Sequence, residues 1–144
     1  MTGFEAKKSS VGRDFVRAFA AQVKALADRR FDGLHLPVIM FDGVEYAGET
    51  MIVALGITAD GTKRTLGLRQ GATENATVCV ALLEDLQVRG LDTSQPLLLV
   101  LDGAKALHAG AQRVWGQDGV IQRCQVHKKR NVKAHVSEKH HAEL

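Results

Sequence analysis

Two short aliphatic runs stand out in the pattern of apolar and polar positions along the chain. Leu97–Leu101 is apolar at every position, and Leu36–Phe41 upstream is a similar run that contains one proline. Runs without polar alternation are typical of β-strands that are buried on both faces. Each run is followed at once by Asp-Gly, at Asp42 and Asp102. We therefore predict two buried strands that each end in a carboxylate.

A helix and two further strands are predicted around the first of these runs. Apolar residues at helical spacing indicate an amphipathic helix over Val11–Arg30. Those residues are Phe15, Phe19, Val23 and Leu26. Strands are predicted over Thr50–Ile57 and Lys63–Arg69, joined by a hairpin turn at residues 60–61, because Asp-Gly tolerates the positive φ of such turns. With a strand over His35–Asp42, they predict a three-stranded meander.

Helices and strands alternate in the second half of the chain. Helices are predicted over Thr73–Arg89, Ala104–Trp115 and Cys124–His135, and the last of them is strongly basic. A short strand is predicted over Gly119–Arg123, and Ser137–Leu144 has the composition of a polar tail. The order β-β-β-α-β-α-β-α therefore follows the N-terminal helix.

This order of elements predicts an α/β fold with a ribonuclease H-like mixed sheet, in which a three-strand meander precedes helix-linked parallel strands. The first and fourth strands of that arrangement are parallel neighbours. Asp42 and Asp102 are therefore expected side by side at one sheet edge, where open α/β sheets place their ligands. We divide the chain into an N-terminal helical segment, residues 1–33, and one domain, residues 34–144.

Composition narrows the classes of function. The chain has 144 residues, of which 45% are hydrophobic and 24% charged, as expected of a soluble domain with one core. No apolar run is long enough to cross a membrane, and the polar first ten residues predict no secretory signal. Two cysteines provide no disulfide framework, so we expect a reducing, cytoplasmic location.

Positive charge is concentrated towards the end of the chain. The formal net charge is only +3, but the segment 123–133 carries basic residues and no acid. The basic residues are Arg123, Lys128, Lys129, Arg130 and Lys133. Such a cluster is typical of a phosphate-binding surface, and Lys105 is a further candidate close after Asp102. The alternative is a solvated basic helix face without a ligand.

The two acids have the chemistry of a metal site. Two carboxylates at neighbouring strand ends repel one another unless a cation lies between them. Oxygen ligands favour hard ions, so we expect Mg²⁺ or Mn²⁺. Two such ions, about 4 Å apart, would activate a water or a 3′-hydroxyl for attack on a phosphodiester. The alternative is that each Asp-Gly is only a strand-ending turn.

Cys124 and His127 form a C-x2-H pair that has two interpretations. The pair is half of a zinc site. The histidines that would have to complete it are His135, His140 and His141. On a helix, however, residues three or four apart share a face, so Cys124 and His127 are expected beside Asn131, lining the acidic site.

Five short segments occur in a recognisable order along the chain. They are F-D-G at 41–43 with V-A-L-G-I at 53–57, G-A-T-E-N at 71–75, L-D-G-A-K-A-L at 101–107, and Q-R-C-Q-V-H-K-K-R-N at 122–131. Together they resemble the Mutator-like transposases of bacterial insertion sequences, over a stretch from about Val11 to His135.

The resemblance implies a DDE-type transposase with a ribonuclease H-like catalytic core. Such enzymes cut transposon ends with two Mg²⁺ ions and join the freed 3′-hydroxyl to target DNA. The resemblance assigns Asp42 and Asp102 as the first two acids, and Cys124 and His127 to a supporting motif. It also implies transposon ends and target DNA as partners, a homo-oligomer in the full-length form, and a bacterial, nucleoid-associated location.

The chain departs from this family in length. Family members have a DNA-end-binding region before this segment and a third acid, a glutamate, well after it. Glu138 and Glu143 come too early for that glutamate, so we expect a partial catalytic domain that is inactive alone. Two other hypotheses remain: a DNA-binding or dimerising remnant that inhibits the full-length enzyme, and a stand-alone nuclease with further acids. Those acids would come from Glu45, Glu49, Glu74 or Glu138.

Overall fold

A five-stranded mixed sheet forms the centre of the fold. The computed structural model describes residues 8–46, 48–73 and 75–143. Its helices are α1 (Lys8–Ala27), α2 (Ala76–Val88), α3 (Lys105–Trp115), α4 (Gln125–Lys133) and a 3₁₀ helix (Glu138–Glu143). Its strands are β1 (Val38–Tyr46), β2 (Glu49–Ile57), β3 (Lys63–Gln70), β4 (Leu97–Leu101) and β5 (Gly119–Arg123).

The strand order in the sheet is β3-β2-β1-β4-β5. β2 is antiparallel to both β1 and β3, and β4 is parallel to both β1 and β5. This confirms the predicted ribonuclease H-like α/β fold, including the parallel neighbours β1 and β4. The connections β3–α2–β4 and β4–α3–β5 both run in the same direction across the sheet. Because such connections are right-handed, α2 and α3 lie together on one face of the sheet.

Burial alternates along the strands, because α2 and α3 cover one face of the sheet in the described part of the chain. In β4, Leu97, Leu99 and Leu101 are buried in the core, whereas Leu98 and Val100 are half-buried. The prediction that this strand is buried on both faces is therefore wrong. The other face, here called the open face, presents half-buried apolar side chains. They include Val38, Met40, Val53, Leu55, Leu98 and Val100.

β1 extends beyond the strand end predicted at Asp42. It continues to Tyr46 because β2 pairs with it along its whole length. Asp42 therefore lies within the strand, opposite Val53, and the prediction that it ends the strand is wrong.

The hairpin between β2 and β3 has the predicted turn, with Gly61 at a φ of 83°. The hydroxyl of Thr58 and the backbone N–H and hydroxyl of Thr62 all donate to the Asp60 carboxylate. These hydrogen bonds, chiefly that from Thr58, lower the pKa of Asp60 below its ordinary value because they stabilise the charged form.

α1 lies mostly outside the core, and it begins and ends three residues earlier than predicted. Phe19 is 57% exposed, whereas Val23 and Leu26 are half-buried beside β3. The side chain of Phe15 lies outside the described part of the structure. Among the described side chains, the apolar stripe of this helix therefore packs on the domain only near its C-terminal end.

The segment after α4 forms a 3₁₀ helix where a polar tail was predicted. The Nε2 of His141 lies 2.9 Å from the carbonyl oxygens of both Lys133 and Val136. A ring nitrogen that carries a proton can donate to these oxygens, so His141 ties this segment to the end of α4. No helix of the described residues is both long enough and apolar enough to span a membrane.

Candidate active site

The parallel pairing of β1 with β4 brings the two predicted acids to adjacent positions. The register pairs Met40 with Val100, and its continuation by two residues sets Asp42 level with Asp102. Asp42 belongs to β1, and Asp102 directly follows β4. Because neighbouring strands lie only about 5 Å apart, the backbone places the two carboxylates within reach of a shared ligand.

Two hydrogen bonds hold the Asp102 carboxylate. The Thr73 hydroxyl donates to Oδ2 at 2.6 Å, and the backbone N–H of Ala104 donates to Oδ1 at 2.8 Å. Asp102 itself is half-buried, at the turn from β4 into α3. A carboxylate oxygen accepts more than one hydrogen bond or metal contact, so each oxygen keeps capacity for a ligand.

The Asp42 carboxylate is more open and faces a histidine. Its side chain is 57% exposed, and its Oδ1 lies 3.4 Å from the Nε2 of His127. The Nδ1 of the same imidazole is buried, with no hydrogen-bond partner in the described part of the chain. Within the described residues, His127 therefore contacts Asp42 through its Nε2 edge.

An open cavity of about 470 Å³ connects Asp102 with the basic end of the chain. Its polar lining includes Asp102, Lys105, Arg123, His127 and Asn131. A Cβ at Gly103 would come within 2.5 Å of the Arg123 guanidinium, so this guanidinium lies against the glycine that follows the acid. The cavity therefore places two cationic side chains beside one of the acids.

The basic residues of the sequence cluster line two openings that share Arg123. His127 and Asn131 line the cavity beside Asp102, and Arg123 lines it too. Lys128 and Lys129 instead line a second open groove of about 700 Å³, which we call the lysine groove. Its other lining residues are Gln122, Arg123, Gln125 and Val132. Arg130 and Lys133 line neither the cavity beside Asp102 nor the lysine groove.

Cys124 precedes α4 and serves a backbone role. Its N–H donates to the carbonyl oxygen of Leu101 at 2.6 Å, which joins the start of α4 to the end of β4. The cavity lining includes His127 and Asn131 but not Cys124. Within the described residues, no group of three or more His, Cys, Asp or Glu side chains is arranged to hold a metal ion.

Thr73 is not among the site residues predicted from the sequence. A helix was predicted from Thr73, but α2 begins at Ala76, because the Asn75 side chain accepts hydrogen bonds from the first-turn N–H groups. The Asn75 cap is a signal that the sequence does contain, and it would have left Thr73 in the preceding loop. The contact with Asp102 spans 29 residues, which no local pattern reveals.

Comparison with known proteins identifies the family. The family model described as "Transposase, Mutator family" matches residues 2–144. The chain belongs to the Mutator family of transposases. The family resemblance in the sequence motifs is thereby confirmed.

Two curated relatives of this Mutator-family chain illustrate the similarity. The chain is 38% identical over 82 residues to the transposase for insertion sequence element IST2 of Acidithiobacillus ferrooxidans, which covers 57% of this chain and 27% of that protein. It is 32% identical over 125 residues to the transposase for IS6120 of Mycolicibacterium smegmatis, covering 85% and 36%. The chain therefore spans only about a third of the length of the curated transposases that it matches.

Two solved structures overlap this Mutator-family chain only loosely. The catalytic core domain of BIV integrase overlaps 70% of this chain and 65% of its own at 13% identity, with a TM-score of 0.42. RNase H1 from Halobacterium salinarum overlaps 60% and 83% at 16% identity, with a TM-score of 0.35. Both overlaps are loose, so the strand order itself establishes the fold class.

Proposed function

We propose that this chain is part of the catalytic core of a DDE-type transposase, with Asp42 and Asp102 as two of its catalytic acids. The observation that carries the proposal is the β1–β4 register, which brings these acids level on adjacent parallel strands. Family membership supports it, because the chemistry of a transposase is performed on the phosphodiesters of DNA. We assign residues 1–33 to a helical segment and residues 34–144 to the partial core.

The donor set fits Mg²⁺ or Mn²⁺. Mg²⁺ is commonly held by one or two carboxylates, with water and substrate phosphate completing its coordination, and this site offers the carboxylates of Asp42 and Asp102. In the complete active site, two such ions would activate a water or 3′-hydroxyl and stabilise the leaving oxygen.

The chain's own residues would hold and orient the DNA. Lys105 and Arg123 flank Asp102 in the cavity, where they offset the charge of a phosphate that approaches the carboxylates. The Arg123 guanidinium is held against Gly103, so its donors are already next to the acid. His127 and Asn131 support the site from α4, with His127 contacting Asp42 directly.

The proposed core is partial, and we expect it to transpose no DNA alone. The matched stretches cover only 27% and 36% of its curated relatives. The family resemblance places the third acid beyond this segment. Among the acids weighed for a stand-alone nuclease, Glu45 and Glu49 accept hydrogen bonds from Thr50 and Gln70 on the β1–β2–β3 side of the sheet. Glu74 lies outside the described residues. The half-buried apolar side chains of the open face also support a partial core, because further chain would bury them.

Anomalous scattering from a crystal soaked in Mn²⁺ tests this proposal. We expect a peak between the carboxylates of Asp42 and Asp102, because these two acids provide the oxygen ligands. A soaked crystal in which the two carboxylates have no peak between them would overturn the assignment of both acids.

A second candidate function is DNA binding without catalysis, as in a remnant that inhibits the full-length enzyme. The lysine groove favours it, because its lining carries Lys128, Lys129 and Arg123 without an acid.

Either function implies DNA as the partner. We propose the bacterial cytoplasm, at the nucleoid, as the location, and a homo-oligomer on paired transposon ends as the full-length assembly.

The salt dependence of DNA binding tests the role of the lysine groove. The double variant K128Q/K129Q is expected to reduce the slope of log K against log salt concentration by about 2, since each neutralised phosphate contributes about 0.9 to the slope. Fluorescence anisotropy of a labelled DNA duplex, measured between about 50 and about 200 mM salt, gives the affinities from which that slope is calculated.

The matched control for this experiment is K63Q/R64Q, which removes the same charge from β3 at the opposite edge of the sheet. We expect it to leave the slope within about 0.5 of the original value, as a site without phosphate contacts should. Equal losses in the two double variants would show that net charge, and not the lysine groove, determines DNA affinity.

A further inference from the structure

We propose that Thr73 is a positioning residue that fixes the Asp102 carboxylate relative to Asp42; its importance for catalysis rests on the proposed function of these acids. Thr73 is 4% exposed, and its hydroxyl donates to Oδ2 of Asp102 at 2.6 Å. The N–H of Ala104 occupies the other oxygen. A carboxylate that accepts hydrogen bonds through both oxygens is restricted to one orientation. Ala104 is a neighbour of Asp102 in the sequence, whereas Thr73 holds the carboxylate from a distant part of the chain.

Thr73 is itself held in place by the core. The thiol of Cys79 donates to the carbonyl oxygen of Thr73 at 3.1 Å, and Cys79 is fully buried on α2. The loop that carries the hydroxyl is therefore fixed to the helix that packs on the sheet. A rigid donor of this kind orients a ligand group better than a solvent-exposed one, because less freedom is lost when the ligand binds.

Thr73 also contacts the strand that carries the other acid. A Cβ at Gly43, the residue after Asp42, would lie 3.4 Å from the Cγ2 of Thr73, so the methyl group packs along β1 at this point. One buried side chain thus donates to Asp102 through its hydroxyl and places its methyl group beside the neighbour of Asp42. The geometry points to Thr73 as the residue that sets the spacing between the two acids.

Thr73→Val and Thr73→Ser separate the hydroxyl from the packing. Valine keeps the shape but removes the donor, whereas serine keeps the donor. In the metal-free chain, we expect amide exchange at Ala104, followed by NMR, to accelerate about tenfold in T73V, since its acceptor carboxylate is released. The exchange rate at Ala104 in T73S should stay within about twofold of that in the original chain. The exchange rate at Thr62 in T73V should also stay within about twofold, because this amide donates to the distant Asp60. Unchanged Ala104 exchange in T73V would overturn the positioning role.

Mn²⁺ binding, followed by the EPR signal of the free ion, then connects this role to the site. We expect T73V to weaken binding about tenfold and T73S to restore it, as for other groups that orient a metal ligand. Equal Mn²⁺ affinities in T73V and the original chain would show that the hydroxyl does not act on the metal. If Asp102→Asn also left the affinity unchanged, the proposed metal site would fail, while Ala104 exchange would still decide whether Thr73 positions Asp102.

Discussion

Replacement of Arg89 by methionine is expected to lower the free energy of unfolding by about 3 kcal/mol, the low end of the range for breaking a buried ion pair. Arg89 is buried and donates to Asp85 at 2.7 Å, to the carbonyl oxygen of Leu26 at 2.9 Å and to that of Arg29 at 3.3 Å. Its guanidinium also lies 4.7 Å from the centre of the Phe31 ring. This one side chain joins the end of α1 to α2, so methionine would remove all of these contacts at once.

The control is Arg69→Met, because Arg69 pairs with the same carboxylate from an exposed position. Its guanidinium is 3.7 Å from Asp85, and its side chain is 46% exposed. Exposed pairs of this kind contribute little, so we expect a loss of about 0.5 kcal/mol. Urea unfolding followed by the fluorescence of Trp115 measures both variants. Equal losses for R89M and R69M would show that burial of Arg89 adds nothing to the stability of the fold.

The strand and helix pattern was largely predictable because burial and element type leave strong local signals. The aliphatic run ending at Leu101 and the Asp-Gly turn at residues 60–61 both form as predicted. The end of β1 was not predictable from its own residues, since its pairing with β2 carries the strand past Asp42. Pairing partners, and not the polarity of a strand's last residues, determine where that strand stops.

The candidate site was predictable where helical or strand periodicity governs it. Residues three or four apart share a helix face, and the structure places His127 and Asn131 together in the cavity. Helical periodicity also explains why Lys128 and Lys129 line the lysine groove, although all the basic residues were predicted to form one cluster. Thr73 was missed because its role depends on a tertiary contact with Asp102.

The two acids are not equivalent, and this difference leads to the second large effect. Asp102 is half-buried and held through both of its oxygens, whereas Asp42 is 57% exposed and paired with one histidine at 3.4 Å. A fixed carboxylate loses less freedom on binding a cation, and partial burial weakens the screening of its charge. We therefore expect Asp102 to contribute more to metal affinity than Asp42.

Asp102→Asn is expected to weaken Mn²⁺ binding about 30-fold and Asp42→Asn about tenfold, with the smaller factor equal to about 1.4 kcal/mol. Titration calorimetry with Mn²⁺ on the full chain measures both, and asparagine preserves the shape of each side chain. Asp118→Asn is the control, because it removes one exposed carboxylate just before β5, at the other end of the parallel strands, and should change the affinity less than twofold. A larger loss in D42N than in D102N would mean that the hydrogen bonds from Thr73 and Ala104 compete with the metal for Asp102. In that case Asp42, for all its exposure, would be the principal ligand of the site.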